Sequence, residues 1–158
     1  FDAHADLRDS YMNNKNSHAC TMQRCIEKLP NKEIFQIGIR SGTQEEFRKM
    51  RENNQLIDLK KGDKNLLLSR LEKIKELPIY LTIDVDWFDP SLLSGTGTPE
   101  PGGFFWDDFE MIIKTLNKFN LIGADIVELA PEIDLSGVSS IVAAKVARSL
   151  IMTLYKNK

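Results

Sequence analysis

Ile79-Tyr80-Leu81-Thr82-Ile83 runs straight into Asp84-Val85-Asp86, and the reading of that stretch decides the fold. Five β-branched, aromatic or aliphatic-type residues in a row suit a strand buried in a sheet. Working outward, residues 63–76 read as a helix with Leu66, Leu67, Leu71 and Ile74 on one stripe and Lys and Glu opposite. Residues 87–103 are too rich in Gly and Pro for regular structure; residues 106–119 read as a helix, 121–127 as a strand and 137–156 as a long helix. Towards the N-terminus, a helix over 18–29 ends at Pro30 and a strand covers 33–39. A polar helix over 43–53 starts at Thr43 with Glu46 three residues on, and a short strand covers 55–59. Strands alternating with helices predict right-handed βαβ units: an α/β fold with a mainly parallel sheet and helices on both faces. Residues 1–158 read as one domain without repeat or linker.

In such sheets ligands bind outside the carboxyl ends of the strands, and the polar clusters fall there. Asp84 and Asp86 end one strand and share a side at i, i+2. Burying two carboxylates beside a core strand is costly unless a cation compensates them. Asp2-Ala3-His4-Ala5-Asp6 sets three metal-competent side chains at i, i+2 and i+4, one side of an extended segment, with small alanines between. Carboxylate and imidazole suit a divalent ion such as manganese. Four carboxylates and one imidazole exceed what one ion takes from protein, so two ions are expected, about 3.5–4 Å apart. Each cluster alone is compatible with a solvated polar loop, and an Asp-x-Asp after a strand also occurs in phosphatases and sugar transferases. A two-metal phosphatase or a non-catalytic binding protein stays open on these residues, although no P-loop or comparable basic cluster stands beside Asp84.

His18 opens the helix after the first cluster, where Ser17 can cap it, and an imidazole near neutral pH suits a proton shuttle. Glu128 follows an apolar strand; its carboxylate can grip a planar cation through two hydrogen bonds. Gly95-Thr96-Gly97-Thr98-Pro99-Glu100-Pro101-Gly102-Gly103 can shape a pocket wall. The aromatics flanking it, Trp87, Phe88, Phe104, Phe105 and Trp106, read mostly as core. Cys20 and Cys25, five apart on a helix, point to different faces and read as reduced thiols of a cytoplasmic protein.

A net charge of -2 from 21 basic and 23 acidic residues gives no field for nucleic acid or an anionic membrane. No uninterrupted apolar run approaches the ~20 residues of a membrane span. The chain opens Phe1-Asp2-Ala3-His4, with neither Met nor a basic leader. The expectation is a portion of a longer domain, lacking the strand that presents the first cluster.

Phe1-Asp2-Ala3-His4-Ala5-Asp6, Ser17-His18-Ala19-Cys20, Gly38-Ile39-Arg40, Thr82 to Pro90, Gly95 to Gly103 and Glu128-Leu129-Ala130-Pro131 are collinear over the whole chain. Together they resemble the ureohydrolase family of arginases and agmatinases. The resemblance implies a three-layer α/β/α fold and two manganese ions. Asp2 and Asp84 would bridge both ions, Asp6 would bind one, and His4 and Asp86 the other. His18 would relay protons, Glu128 would hold a guanidinium, and Thr98 would contact substrate. It implies a further upstream histidine ligand, absent from this sequence, and a homo-oligomer, trimer or hexamer. Leu7-Arg8-Asp9-Ser10 to Asn16 resembles the agmatinase version, implying agmatine cleaved to urea and putrescine by a hydroxide held between the ions. Arginine, guanidinobutyrate and related guanidino or formimino compounds remain alternatives.

Overall fold

The computed structural model describes residues 1–29, 34–59 and 64–156. Strands β1 (Gln36–Ile37), β2 (Leu56–Ile57), β3 (Ile79–Asp84) and β4 (Leu121–Val127) alternate with helices α1 (Thr21–Lys28), α2 (Gln44–Glu52), α3 (Lys64–Lys73), α4 (Trp106–Leu116) and α5 (Val138–Lys156). β1 pairs with β2 and β3 with β4, both in parallel. Residues 1–5 join the two pairs. Phe1 donates to Thr82 O at 2.8 Å and accepts from Asp84 N–H at 2.8 Å, the parallel-ladder pattern. On the other side, Asp2 N–H reaches Ile37 O, Arg40 N–H reaches Ala3 O, and His4 bridges Ser41 in parallel. The lateral order is therefore β2, β1, residues 1–5, β3, β4.

Helices pack against the strands in two clusters. Leu67 and Leu71 of α3, Phe109, Ile112 and Ile113 of α4, and Val142, Val146 and Leu150 of α5 pack with Ile37, Ile57, Leu81 and Ile83 in the main core. Met22 and Ile26 of α1 and Phe47 and Met50 of α2 pack with Ala5, Leu7 and Leu56 in a second cluster. At about 25 cal/mol per Å² of apolar surface, this burial dominates the stability.

Local chemistry explains the element ends. α2 begins with a reciprocal cap, Glu46 N–H to Thr43 Oγ1 and Thr43 N–H to Glu46 Oε2. Asp108 accepts Phe105 N–H at the start of α4. Asp134 accepts the Ser136 hydroxyl at 2.6 Å and Ser139 N–H at 2.8 Å at the start of α5, and these bonds hold its carboxyl well below the usual range.

The sequence-based elements recur with shorter ends. The strand expected over 33–39 is resolved as Gln36–Ile37, its residue 33 lying outside the described set, as does residue 63 of the helix expected over 63–76. In α3, Leu67 and Leu71 are buried and Ile74 packs beside them, but Leu66 is exposed: it sits one helical step, about 100°, off their row. Ser17 precedes the helical turn His18–Cys20 in N-cap position but makes no side-chain cap bond; Cys20 N–H goes to the Ser17 backbone carbonyl at 2.9 Å instead. α5 is the one described helix long and apolar enough, by length and composition, to cross a membrane. Lys145 and Arg148 break it as an uninterrupted run, and its Val142–Val146–Leu150 row is docked in the core.

Candidate metal centre

Because the sheet is parallel, the segment after Phe1 and the ends of β3 and β4 leave it at one edge. Asp84, the last residue of β3, stands opposite Val127, the last of β4. A helical turn, Val85–Trp87, then reverses the chain, with Asp84 Oδ1 accepting Asp86 N–H at 3.0 Å. Gly38 makes the crowding at this edge possible. Its φ is +100°, and a Cβ there would sit 2.4 Å from the Trp87 ring.

Candidate ligand atoms of Asp2, His4 and Asp86 lie within 4.8 Å of one another. His4 Nδ1 stands 2.8 Å from Asp86 Oδ2 and 3.7 Å from Asp2 Oδ1. The backbone holds both carboxylates from behind: His4 N–H donates to Asp2 Oδ1 at 2.6 Å and Ala3 N–H to Asp86 Oδ1 at 3.0 Å. Asp84 and Asp6 join through charge. Burial, with Asp2 and Asp86 nearby, pushes the Asp84 carboxyl up to about 9. Burial, with Asp6 and Asp86, pushes Asp2 up to about 8. Burial raises Asp6 to about 6, against the pull of His4 and His18. Burial also works against ionisation of Asp86, yet His4 and the Ala3 N–H hold it below the usual range.

This donor set fits divalent cations. Asp86 is 1% exposed, and none of the described residues gives its Oδ2 a well-aligned hydrogen bond. His4 Nδ1, 2.8 Å away, is the partner of that oxygen, and the pairing raises the imidazole above its ordinary value. An imidazole nitrogen and a buried carboxylate oxygen this close, with three carboxyls displaced upward around them, are donor atoms that a positive ion could share in place of the proton.

The remaining sequence-based candidates are more open. His18 is exposed, edge-on to the Tyr11 ring with centroids 5.9 Å apart, and near enough to act on the Asp6 charge. Glu128 follows β4 directly, exposed, with φ +65°. Thr98 is exposed, whereas Thr96 in the same loop is 1% exposed. Trp87, Phe88 and Phe104 are core as expected, and Phe105 is exposed. Two residues gain importance only in the structure. Glu46 is buried and accepts Leu7 N–H besides capping α2. Arg40 reaches across to Asp86 O and Glu100 O.

Residues 1–153 match the model of the arginase family, and the chain belongs to that family. It is 41% identical over 147 residues to N(1)-aminopropylagmatine ureohydrolase of Thermococcus kodakarensis, which covers 92% of this chain and 50% of that protein. It is 36% identical to agmatinase of Bacillus anthracis, over 96% of this chain and 52% of that one. Among solved structures, the agmatine ureohydrolase of Thermoplasma volcanium superposes with a TM-score of 0.81 at 33% identity, covering 98% of this chain and 53% of that one. The arginase-like α/β fold follows. The chain spans about half the length of the relatives it matches.

Proposed function

We propose that this chain carries most of the metal-binding residues of a ureohydrolase that cleaves agmatine, or a substituted agmatine, to urea and an amine, putrescine when agmatine is the substrate. The observation that carries the reading is the convergence of Asp2, His4 and Asp86 at the sheet edge, with Asp84 and Asp6 in electrostatic contact. Asp2, His4, Asp6, Asp84 and Asp86 are the residues that would hold two manganese ions. Bound there, such ions supply Lewis acidity and a water acidic enough to attack at neutral pH.

The chain's own groups divide the other tasks. Glu128, exposed at the end of β4, would pair with the substrate guanidinium, a planar cation suited to a carboxylate. His18, exposed beside Tyr11, would pass a proton between solvent and the leaving amine. Thr98, exposed in the Gly/Pro-rich loop, would contact the substrate chain. The names of the relatives support agmatine and its aminopropyl derivative, and a guanidinobutyrase of Pseudomonas aeruginosa at 33% identity keeps the carboxylated analogue in the test set. The two free thiols, Cys20 and Cys25, suit the reducing cytoplasm, and assembly as a trimer or hexamer completes the reading.

The test is urea release by the full-length protein, loaded with manganese, from agmatine, N(1)-aminopropylagmatine, arginine and 4-guanidinobutyrate. Preference for the first two is expected. Equal inertness towards all four overturns the reading.

A further inference from the structure

We infer that Arg40 is a positioning residue that sets the distance between the two metal-ligand loops and fixes the Gly/Pro-rich loop beside them. This rests on the metal reading above. Arg40 lies just beyond β1, and its backbone N–H donates to Ala3 O at 2.8 Å, inside the Asp2–Asp6 cluster. Its side chain turns the other way. Nη2 donates to Asp86 O at 2.7 Å, inside the Asp84–Asp86 cluster, and to Glu100 O at 2.6 Å. Nε donates to Pro101 O at 3.1 Å. One residue thus touches the backbone of three segments that lie far apart in sequence.

The chemistry requires a guanidinium. Its five N–H groups are fixed in one plane and cannot be lost by deprotonation near neutral pH. Here they are directed at carbonyl oxygens, and none of the described ion pairs includes Arg40. Carbonyls at the exits of a tight turn and of a Gly/Pro-rich loop have few backbone partners of their own, so a fork of donors ties those segments together. Asp86 is held at both ends in consequence: its side chain by Ala3 N–H and its carbonyl by Arg40. Since Arg40 also holds Ala3, the separation of His4 from Asp86 is framed by a closed loop of bonds through this one residue. An ammonium at position 40 has a shorter reach and three donors without the planar fork.

The experiment uses the full-length protein with Arg40→Met and Arg40→Lys, read by thermal melting, by calorimetric titration with manganese, and by kcat and KM for agmatine. Residues that orient metal ligands typically change metal affinity by roughly 10–100-fold when replaced. Folded Arg40→Met is expected to bind manganese roughly 10–100-fold more weakly, with Arg40→Lys between it and the unmodified protein. Unchanged manganese affinity in folded Arg40→Met overturns the inference. So does loss of folding in both variants, which would make Arg40 a general stability residue. If the unmodified protein binds manganese but hydrolyses no guanidino compound, the proposed function fails while the manganese comparison still decides the role of Arg40. If it binds no manganese, both fail.

Discussion

The buried carboxylate of Glu46 accepts the backbone N–H of Leu7 at 2.9 Å through one oxygen and the N–H of Thr43 at 2.7 Å through the other. It therefore fastens the loop carrying His4 and Asp6 to the start of α2, and Gln36 Nε2 adds a bond to Ala5 O at 2.8 Å. Removing one partner of a buried hydrogen bond strands the other, at about 1–3 kcal/mol. Glu46→Ala is expected to lose stability of that order, read as a lower urea midpoint at unchanged slope. Unaltered stability would show that this tie is redundant.

Asp84→Asn tests the proposed bridging position. An amide cannot neutralise two ions, so the variant is expected to lose urea release and to bind less manganese by elemental analysis. Normal stoichiometry and turnover would remove Asp84 from the site.

His18→Ala separates a proton relay from a ligand. The variant is expected to keep its fold and metals, to lose roughly 10²–10⁴-fold in turnover, and to regain rate with added imidazole. Metal loss or unaltered turnover would refute the relay.

The displaced carboxyls predict a distinctive pH dependence for the metal-free protein. Asp84 and Asp2 are displaced from 3.8 up to about 9 and about 8. A carboxyl whose folded pKa is raised binds more protons folded than unfolded, so it loses stability as pH rises from about 4 to 9. His4, raised above 6.5 by Asp86, loses its contribution in the upper part of the same window. Asp86, held low, acts only below about pH 4. After chelation the melting temperature is expected to fall between pH 5 and 9, and manganese should restore it most at the alkaline end. A flat melting profile in the chelated protein would contradict these displacements.

Elements that depend on neighbouring residues alone were legible in sequence. The strand over 121–127 coincides with β4, and the Thr43/Glu46 cap opens α2 where the spacing puts it. The i, i+2 spacing likewise picked out Asp2, His4 and Asp86, which meet because a parallel sheet brings its carboxyl ends to one edge, whereas Asp6 and Asp84 fall outside that group of three. Long-range bonds were not legible. The carbonyls that Arg40 holds are 46 and 60 residues away, so the Gly-Ile-Arg stretch alone does not reveal the clamp. Alternation could not tell Thr96, which is buried, from Thr98, which is exposed, since a Gly/Pro-rich loop has no fixed period.

Trp87 gives the site an optical reporter. Its indole is fully buried, stacked on Phe104 at 4.5 Å and Phe1 at 5.2 Å, one residue after Asp86. Sealed from water, it should fluoresce in the blue, while the half-exposed Trp106 supplies a red-shifted background. Paramagnetic manganese arriving beside Asp86 should dim the blue component selectively. Metal loading could then be followed by light, without a label and without turnover.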